Sequence, residues 1–189
     1  MKLPLLLGLG ALALLAVPLL AFAGDEPAKG KPVPGEPMPA FTAKVVQTID
    51  SSKPAGVTVY MTLGVNCPAT PQYTERVKDI ERAYLSKGVS FVYIYPNKTE
   101  SSEAKAAFHL KSGYVGGMID DEGARITKLL AGKKTSEAFV VGKDGKIAYR
   151  GGIDDSLKAA EVKQKYLATA LDELLAGKPV TTQSTQPFG

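Results

Sequence analysis

Residues 62–77 read TLGVNCPATPQYTERV and hold the only cysteine of the 189-residue chain, Cys67. Just upstream, GVTVYMTLG (56–64) is β-branched and apolar, which predicts a buried strand. Downstream, PQYTERVKDIERAYLSKG (71–88) carries Val77, Ile80, Ala83, Tyr84 and Leu85 at helical spacing. It ends in Lys87-Gly88, a helix stop. Cys67 therefore falls at a strand-to-helix turn. Backbone N–H groups and the dipole at a helix N-terminus favour a thiolate over a thiol. Two cap registers are open. Pro68 suits the first helical turn if Cys67 is the N-cap, but Pro71 would then leave a cap carbonyl unpaired. A cap at Thr70 makes Pro71 the first helical residue and leaves Cys67 one turn back, in a loop.

The pattern continues in alternation. FTAKVVQTID (41–50) predicts an early strand, and VSFVYIYP (89–96) a second continuous apolar strand. ESSEAKAAFHLKSG (100–113) predicts a helix closed by Gly113, YVGGMID (114–120) a short strand or loop, and EGARITKLLAG (122–132) a short helix. EAFVVGKDGKIAYRG (137–151) predicts a hairpin around Asp144-Gly145. SLKAAEVKQKYLATALDELLAG (156–177) predicts a long helix capped by Asp155 or Ser156 and closed by Gly177. The β-α-β half implies parallel strands with a right-handed crossover, and the hairpin an antiparallel second half. This is an α/β domain: a central mixed sheet with helices on both faces.

That order, with Cys67 at the end of the first long strand, resembles the thioredoxin-like superfamily. NCPATPQYTERVKDIERAYLSKGVSFVYIYPN and KKTSEAFVVGKDGKIAYRGGIDD resemble its redoxin-type members. In those proteins a strand ends in Cys-Pro, and a T-P-E-x-F-V phrase leads into the hairpin. The likeness covers about residues 41–180. It implies a nucleophilic thiol at Cys67, the second position of a Cys-x-x-Cys frame at Thr70, and the loop opposite the thiol at Thr135 and Ser136. Cys67-Pro68-Ala69-Thr70 lacks the usual second cysteine, and Ser136 stands where the superfamily keeps a cis-proline. A cis bond before a non-proline residue costs about 3–4 kcal/mol, so a trans Thr135–Ser136 bond is expected.

The first residues read as an export signal. Met1-Lys2 precedes LPLLLGLGALALLAVPLL, and AFA before Gly24 is a cleavage site, which predicts a signal peptide over 1–23. The alternative is an uncleaved N-terminal anchor. Residues 24–40, GDEPAKGKPVPGEPMPA, predict a flexible Pro/Gly-rich linker. The domain follows over 41–180, with an irregular tail over 181–189. The expected location is the periplasm or the extracellular space. About 166 residues of the 189 remain after cleavage, enough for one domain with a core. The net charge of +4 is spread without a Lys/Arg block, which does not argue for nucleic acid, and no nucleic-acid partner is expected. No later run is long enough to span a bilayer.

Cys67 is open to three readings: a buried passenger, a reactive thiol, or half of a disulfide to a second molecule, including another copy. Without a second cysteine a mixed disulfide on Cys67 must be resolved by an outside thiol. The expected activity is monothiol redox chemistry with a thiol or disulfide protein, or with a small thiol, of the cell envelope. The alternatives are a scaffold module without catalysis and a one-cysteine peroxidase. No cofactor is called for, and a single His, His109, excludes a Cys-plus-His metal cluster within one chain. His109 is expected to be a packed or surface residue. Asp120, Asp121 and Glu122 are expected to form a solvated loop or helix start. Tyr60, Tyr93 and Tyr95 are expected in the core or on the sheet.

Overall fold

The computed structural model describes residues 32–43, 49–50 and 56–188. The signal peptide and the first part of the linker lie outside the described residues. Five strands form the central sheet: β3 (Thr58–Thr62), β4 (Ser90–Tyr95), β5 (Gly117–Asp120), β6 (Ala138–Val141) and β7 (Ile147–Gly151), in the order β5-β4-β3-β6-β7. β3, β4 and β5 pair in parallel, while β6 and β7 join antiparallel. The mixed sheet is the expected one. Upstream, β1 (Thr42–Ala43) and β2 (Ile49–Asp50) pair antiparallel with each other. The expected early strand is thus two short arms, and residues 44–48 between them lie outside the described residues.

Alternation along the strands feeds two cores. Val59, Met61, Phe91, Tyr93, Tyr95, Ala138, Val140 and Tyr149 face helices α1 (Thr70–Leu85) and α4 (Tyr166–Leu175). Tyr60, Val92, Ile94, Phe139, Val141 and Ile147 face α3 (Arg125–Leu129) and the N-terminal arm. The three expected tyrosines are all buried, Tyr60 in one core and Tyr93 and Tyr95 in the other.

α1 buries Thr70, Tyr73, Val77, Glu81 and Tyr84, one stripe at spacings of three and four. Glu81 sits on this stripe where an apolar residue is the default. Its carboxylate accepts the backbone N–H groups of Val115 and Gly116 at 3.0 and 2.6 Å. These bonds compensate the burial of its charge. α2 (Ser102–Ser112) is capped as its sequence implies: the Ser101 hydroxyl accepts the Ala104 N–H, and Gly113 ends it in the left-handed region at φ 72°. The hairpin turn also follows the sequence, with Gly145 at φ 76° and its N–H on Gly142 O.

α4 is much shorter than expected. Residues 156–165 form a loop with one 3-10 turn at Ala159–Glu161. The expected caps are engaged elsewhere. Asp155 accepts the Lys163 N–H at 2.9 Å, and the Ser156 hydroxyl accepts the Lys158 N–H at 3.1 Å. The cap position falls instead to Lys165, without a side-chain bond.

Two segments read as linker and tail are docked. Gly35 N–H reaches Ile147 O, Ile147 N–H reaches Glu36 O, and Met38 N–H reaches Gly145 O. Met38 and Phe41 are buried in the second core. The expectation of a flexible linker to residue 40 thus fails for residues 32–40. On the same edge, Arg150 N–H donates to Gln183 O and Thr185 N–H to Arg150 O. Arm and tail together cover the outer edge of β7, the strand that would otherwise present unpaired backbone groups.

Candidate functional site

Cys67 lies in a turn before α1. Its N–H reaches Gly64 O at 3.4 Å, and its carbonyl accepts the Thr70 N–H at 3.1 Å. The helix starts at Thr70 with Ala69 as N-cap and Pro71 as second residue. Neither expected register is adopted. Cys67 is not the cap, and Thr70 caps nothing. Pro71 is tolerated because the first four helical N–H groups have no intrahelical acceptor.

The loop 132–137 faces this turn. Thr135 Oγ1 lies 2.8 Å from Cys67 Sγ. Ser136 is turned the other way. Its peptide bond is trans, its φ is +61°, and its N–H donates to Thr62 O at 2.6 Å. Ser136 thus serves as a backbone clasp to β3, and its neighbour Thr135 meets the sulfur. Two hydroxyls nearby in sequence stay unsatisfied: Thr70 Oγ1 and Ser136 Oγ are buried without a hydrogen-bond partner. Buried polar atoms of this kind are uncommon enough to need a reason.

The thiol is half-buried. Burial pushes its pKa up. The bond from the Thr135 hydroxyl, the Ala69 and Thr70 backbone N–H groups and the nearness of the Thr70 hydroxyl favour the thiolate, and the net result is a thiol held below its ordinary value.

Three neighbours carry no signal in the sequence. Glu100 Oε1 accepts the Asn66 N–H and Asn97 Nδ2, each at 2.9 Å, which fixes the residue before Cys67. Glu100 Oε2 is buried without a partner. A Cβ on Gly64 would come within 2.7 Å of Asn97 Nδ2, 3.0 Å of Thr135 Cγ2 and 3.3 Å of Cys67 Cβ. Only glycine lets the end of β3 approach both the turn and the loop. No local pattern marks Asn97 or Glu100, because they meet Cys67's turn only through β3–β4 pairing.

His109 is a packed residue, as expected. Tyr95 OH bonds its Nδ1 and Gly116 O its Nε2, both at 3.1 Å. Burial lowers its pKa, against the opposing pulls of the Gly116 carbonyl and the Glu81 charge. The acidic cluster divides. Asp120 pairs with Lys105 at 2.5 Å, and Asp121 accepts the Ile126 and Thr127 N–H groups at the start of α3. Among the described residues no group of three or more His, Cys, Asp or Glu is placed to hold a metal ion. No described helix is long and apolar enough to cross a membrane. A surface hollow of about 540 Å³, bounded by Asp155, Ser156 and Lys163 among others, shares no residue with the Cys67 site.

No protein-family model and no curated protein matches the sequence. Solved structures do match. An uncharacterized conserved protein from Geobacillus kaustophilus is 26% identical, with a TM-score of 0.75 over 84% of this chain and 90% of its own. A hypothetical protein from Sinorhizobium meliloti 1021 is 20% identical, with a TM-score of 0.76 over 85% of this chain and 93% of its own. A secreted Mycobacterium tuberculosis disulfide oxidoreductase homologous to E. coli DsbE is 17% identical, with a TM-score of 0.58 over 71% of this chain and 96% of its own. The chain has the thioredoxin-like fold that thiol–disulfide oxidoreductases also carry, with a single cysteine at its strand-to-helix turn.

Proposed function

We propose that this chain is an exported thiol-redox protein that works through Cys67 as a monothiol. The observation that carries the reading is the Thr135 hydroxyl at 2.8 Å from a half-exposed sulfur. A hydroxyl donating to a sulfur stabilises the anion, and the thiolate is the attacking form. Cys67 S⁻ attacks one sulfur of a disulfide R–S–S–R. A Cys67–S–S–R bond forms, and R–S⁻ leaves with the electron pair of the broken bond. A second thiolate from outside the chain then attacks the R sulfur and returns Cys67 S⁻. Thr70, in the second position of the frame, cannot resolve the mixed disulfide but helps hold the charge. The partners are thiol or disulfide proteins, or small thiols, of the cell envelope. Export rests on the apolar run and the A-x-A site before Gly24.

The test is incubation of the full chain with oxidised glutathione, read by intact mass. The expected product is one glutathione adduct, lost on adding a dithiol and not formed by Cys67→Ser. An unmodified chain at a pH where ordinary thiols react would contradict the reading and leave a scaffold role. A mature chain beginning at Gly24 is the expected form in envelope material, read by N-terminal sequencing.

A further inference from the structure

Arg150 on β7 joins four parts of the chain. Its Nε donates to Glu137 Oε1 at 2.8 Å, its Nη2 to Ala131 O at 2.6 Å and its Nη1 to Pro32 O at 3.0 Å. The guanidinium also lies over the Phe139 ring at 4.9 Å. Its planar fork satisfies these acceptors at once, which an ammonium cannot do. Glu137 is 3% exposed. Its second oxygen accepts the Lys133 N–H at 2.9 Å and so closes the turn that contains Thr135. β3 holds the same loop from beneath. Thr62 Oγ1 donates to Lys134 O at 2.7 Å, and Thr62 N–H to Glu137 O at 3.0 Å. Two residues other than glycine stand at positive φ here, Ser136 within the loop and Ala131 just before it. Such a backbone persists only where its surroundings over-determine it.

We propose that Arg150 is a positioning residue for Cys67: through Glu137 it fixes the loop that brings Thr135 Oγ1 onto the sulfur. Arg150 acts on the thiol through this geometry, since its side-chain hydrogen bonds go to Glu137, Ala131 and Pro32 and none to Cys67. Without the guanidinium the Glu137 carboxylate is a buried charge that has lost its counter-ion, and the turn must open to hydrate it. Thr135 then leaves the sulfur. The docked N-terminal arm shares in this, because Pro32 O takes one of the guanidinium's donors.

The inference rests on the reading of Cys67 as a reactive thiol, and a double-mutant cycle separates the two. Rates of iodoacetamide alkylation at neutral pH are measured for the full chain, Arg150→Leu, Thr135→Val and the double variant, beside thermal unfolding. Arg150→Leu and Thr135→Val are each expected to slow alkylation about tenfold. The double variant is expected to be no slower than Thr135→Val alone, because both changes remove one interaction. Glu137→Gln, a milder change, is expected to slow alkylation in the same background-dependent way and serves where Arg150→Leu fails to fold. Tyr149→Phe, at the neighbouring position of β7, removes a bond to Gly152 O and one to Thr185 of the tail, and is expected to lose stability but keep the rate. Wild-type rates in both Arg150→Leu and Glu137→Gln would overturn the proposal. So would equal slowing in the Thr135→Val background, which would assign the effect to charge alone. A wild-type thiol no more acidic than a free cysteine would overturn the reactive-thiol reading and this inference together.

Discussion

At Cys67 two effects oppose each other, and hydrogen bonding outweighs burial. Thr135→Val removes the strongest of the bonds that lower the thiol. A hydrogen bond to a charged group is worth about 1.5–3 kcal/mol, and each 1.4 kcal/mol is tenfold in thiolate fraction near neutrality. Alkylation of Thr135→Val at pH 7 should therefore fall at least about tenfold, and Thr70→Val should slow it less. The same lowering has a sign in stability. A group more acidic when folded contributes stability above its unfolded pKa, and that contribution is lost as pH falls through the folded value. The stability advantage of the native chain over Cys67→Ala should accordingly grow from pH 6 to pH 9, read by urea midpoints. His109 behaves similarly for a different reason. Buried and neutral, it is harder to protonate folded than unfolded. Native stability should fall as pH drops below 6.5, and less steeply in His109→Gln. Equal slopes for the two chains would sink that account. The sequence made Cys67 legible by its position, and Thr135 only through the likeness to a loop that should have presented a proline. What it left out, Glu100 and Arg150, depends on contacts across 34 and 13 residues.

Among the elements, those whose apolar spacing was regular were legible. β3, β4 and the β6–β7 hairpin lie where the β-branched runs stand, and α2 lies between Ser101 and Gly113. α4 was misread because SLKAAEVKQK is rich in good helix formers. Propensity alone holds no helix in water, and an amphipathic face is needed. Residues 156–165 offer none, with Leu157 38% exposed, while Leu167, Ala170 and Leu171 bury the stripe of the helix that does form. The arm was misread for the opposite reason. Proline and polar residues suggest a loose chain, but an edge strand tolerates proline because one side of it needs no N–H. The tail is held by close fit. A Cβ on Gly151 would come within 2.7 Å of Thr185 O and 2.8 Å of Thr185 N. Gly151→Ala should push the tail off β7 and cost about 1–3 kcal/mol, seen as a lower urea midpoint together with new proteolytic cleavage after residue 177. A lower midpoint with an intact tail would count against edge covering as the cause.

For the molecule as a whole, the sheet brings two distant segments together at one sulfur: the turn after β3 and the loop before β6. Pairing of β3 with β6 sets their separation, and the Glu137–Arg150 pair ties the loop to the sheet's outer edge. Breaking that buried pair on one side should cost about 3–5 kcal/mol of global stability, read from denaturant unfolding of Arg150→Leu. The fold is thioredoxin-like and the chain has one thiol, so under the proposed reading a mixed disulfide on Cys67 is resolved by a second molecule. All of this depends on Cys67 being a thiolate at working pH. The most direct measurement is the rate of Cys67 alkylation against pH in the full chain. The account predicts a single titration with its midpoint below the ordinary thiol value of about 8.5, moving up in Thr135→Val. A midpoint at or above that value, unchanged by Thr135→Val, would contradict it.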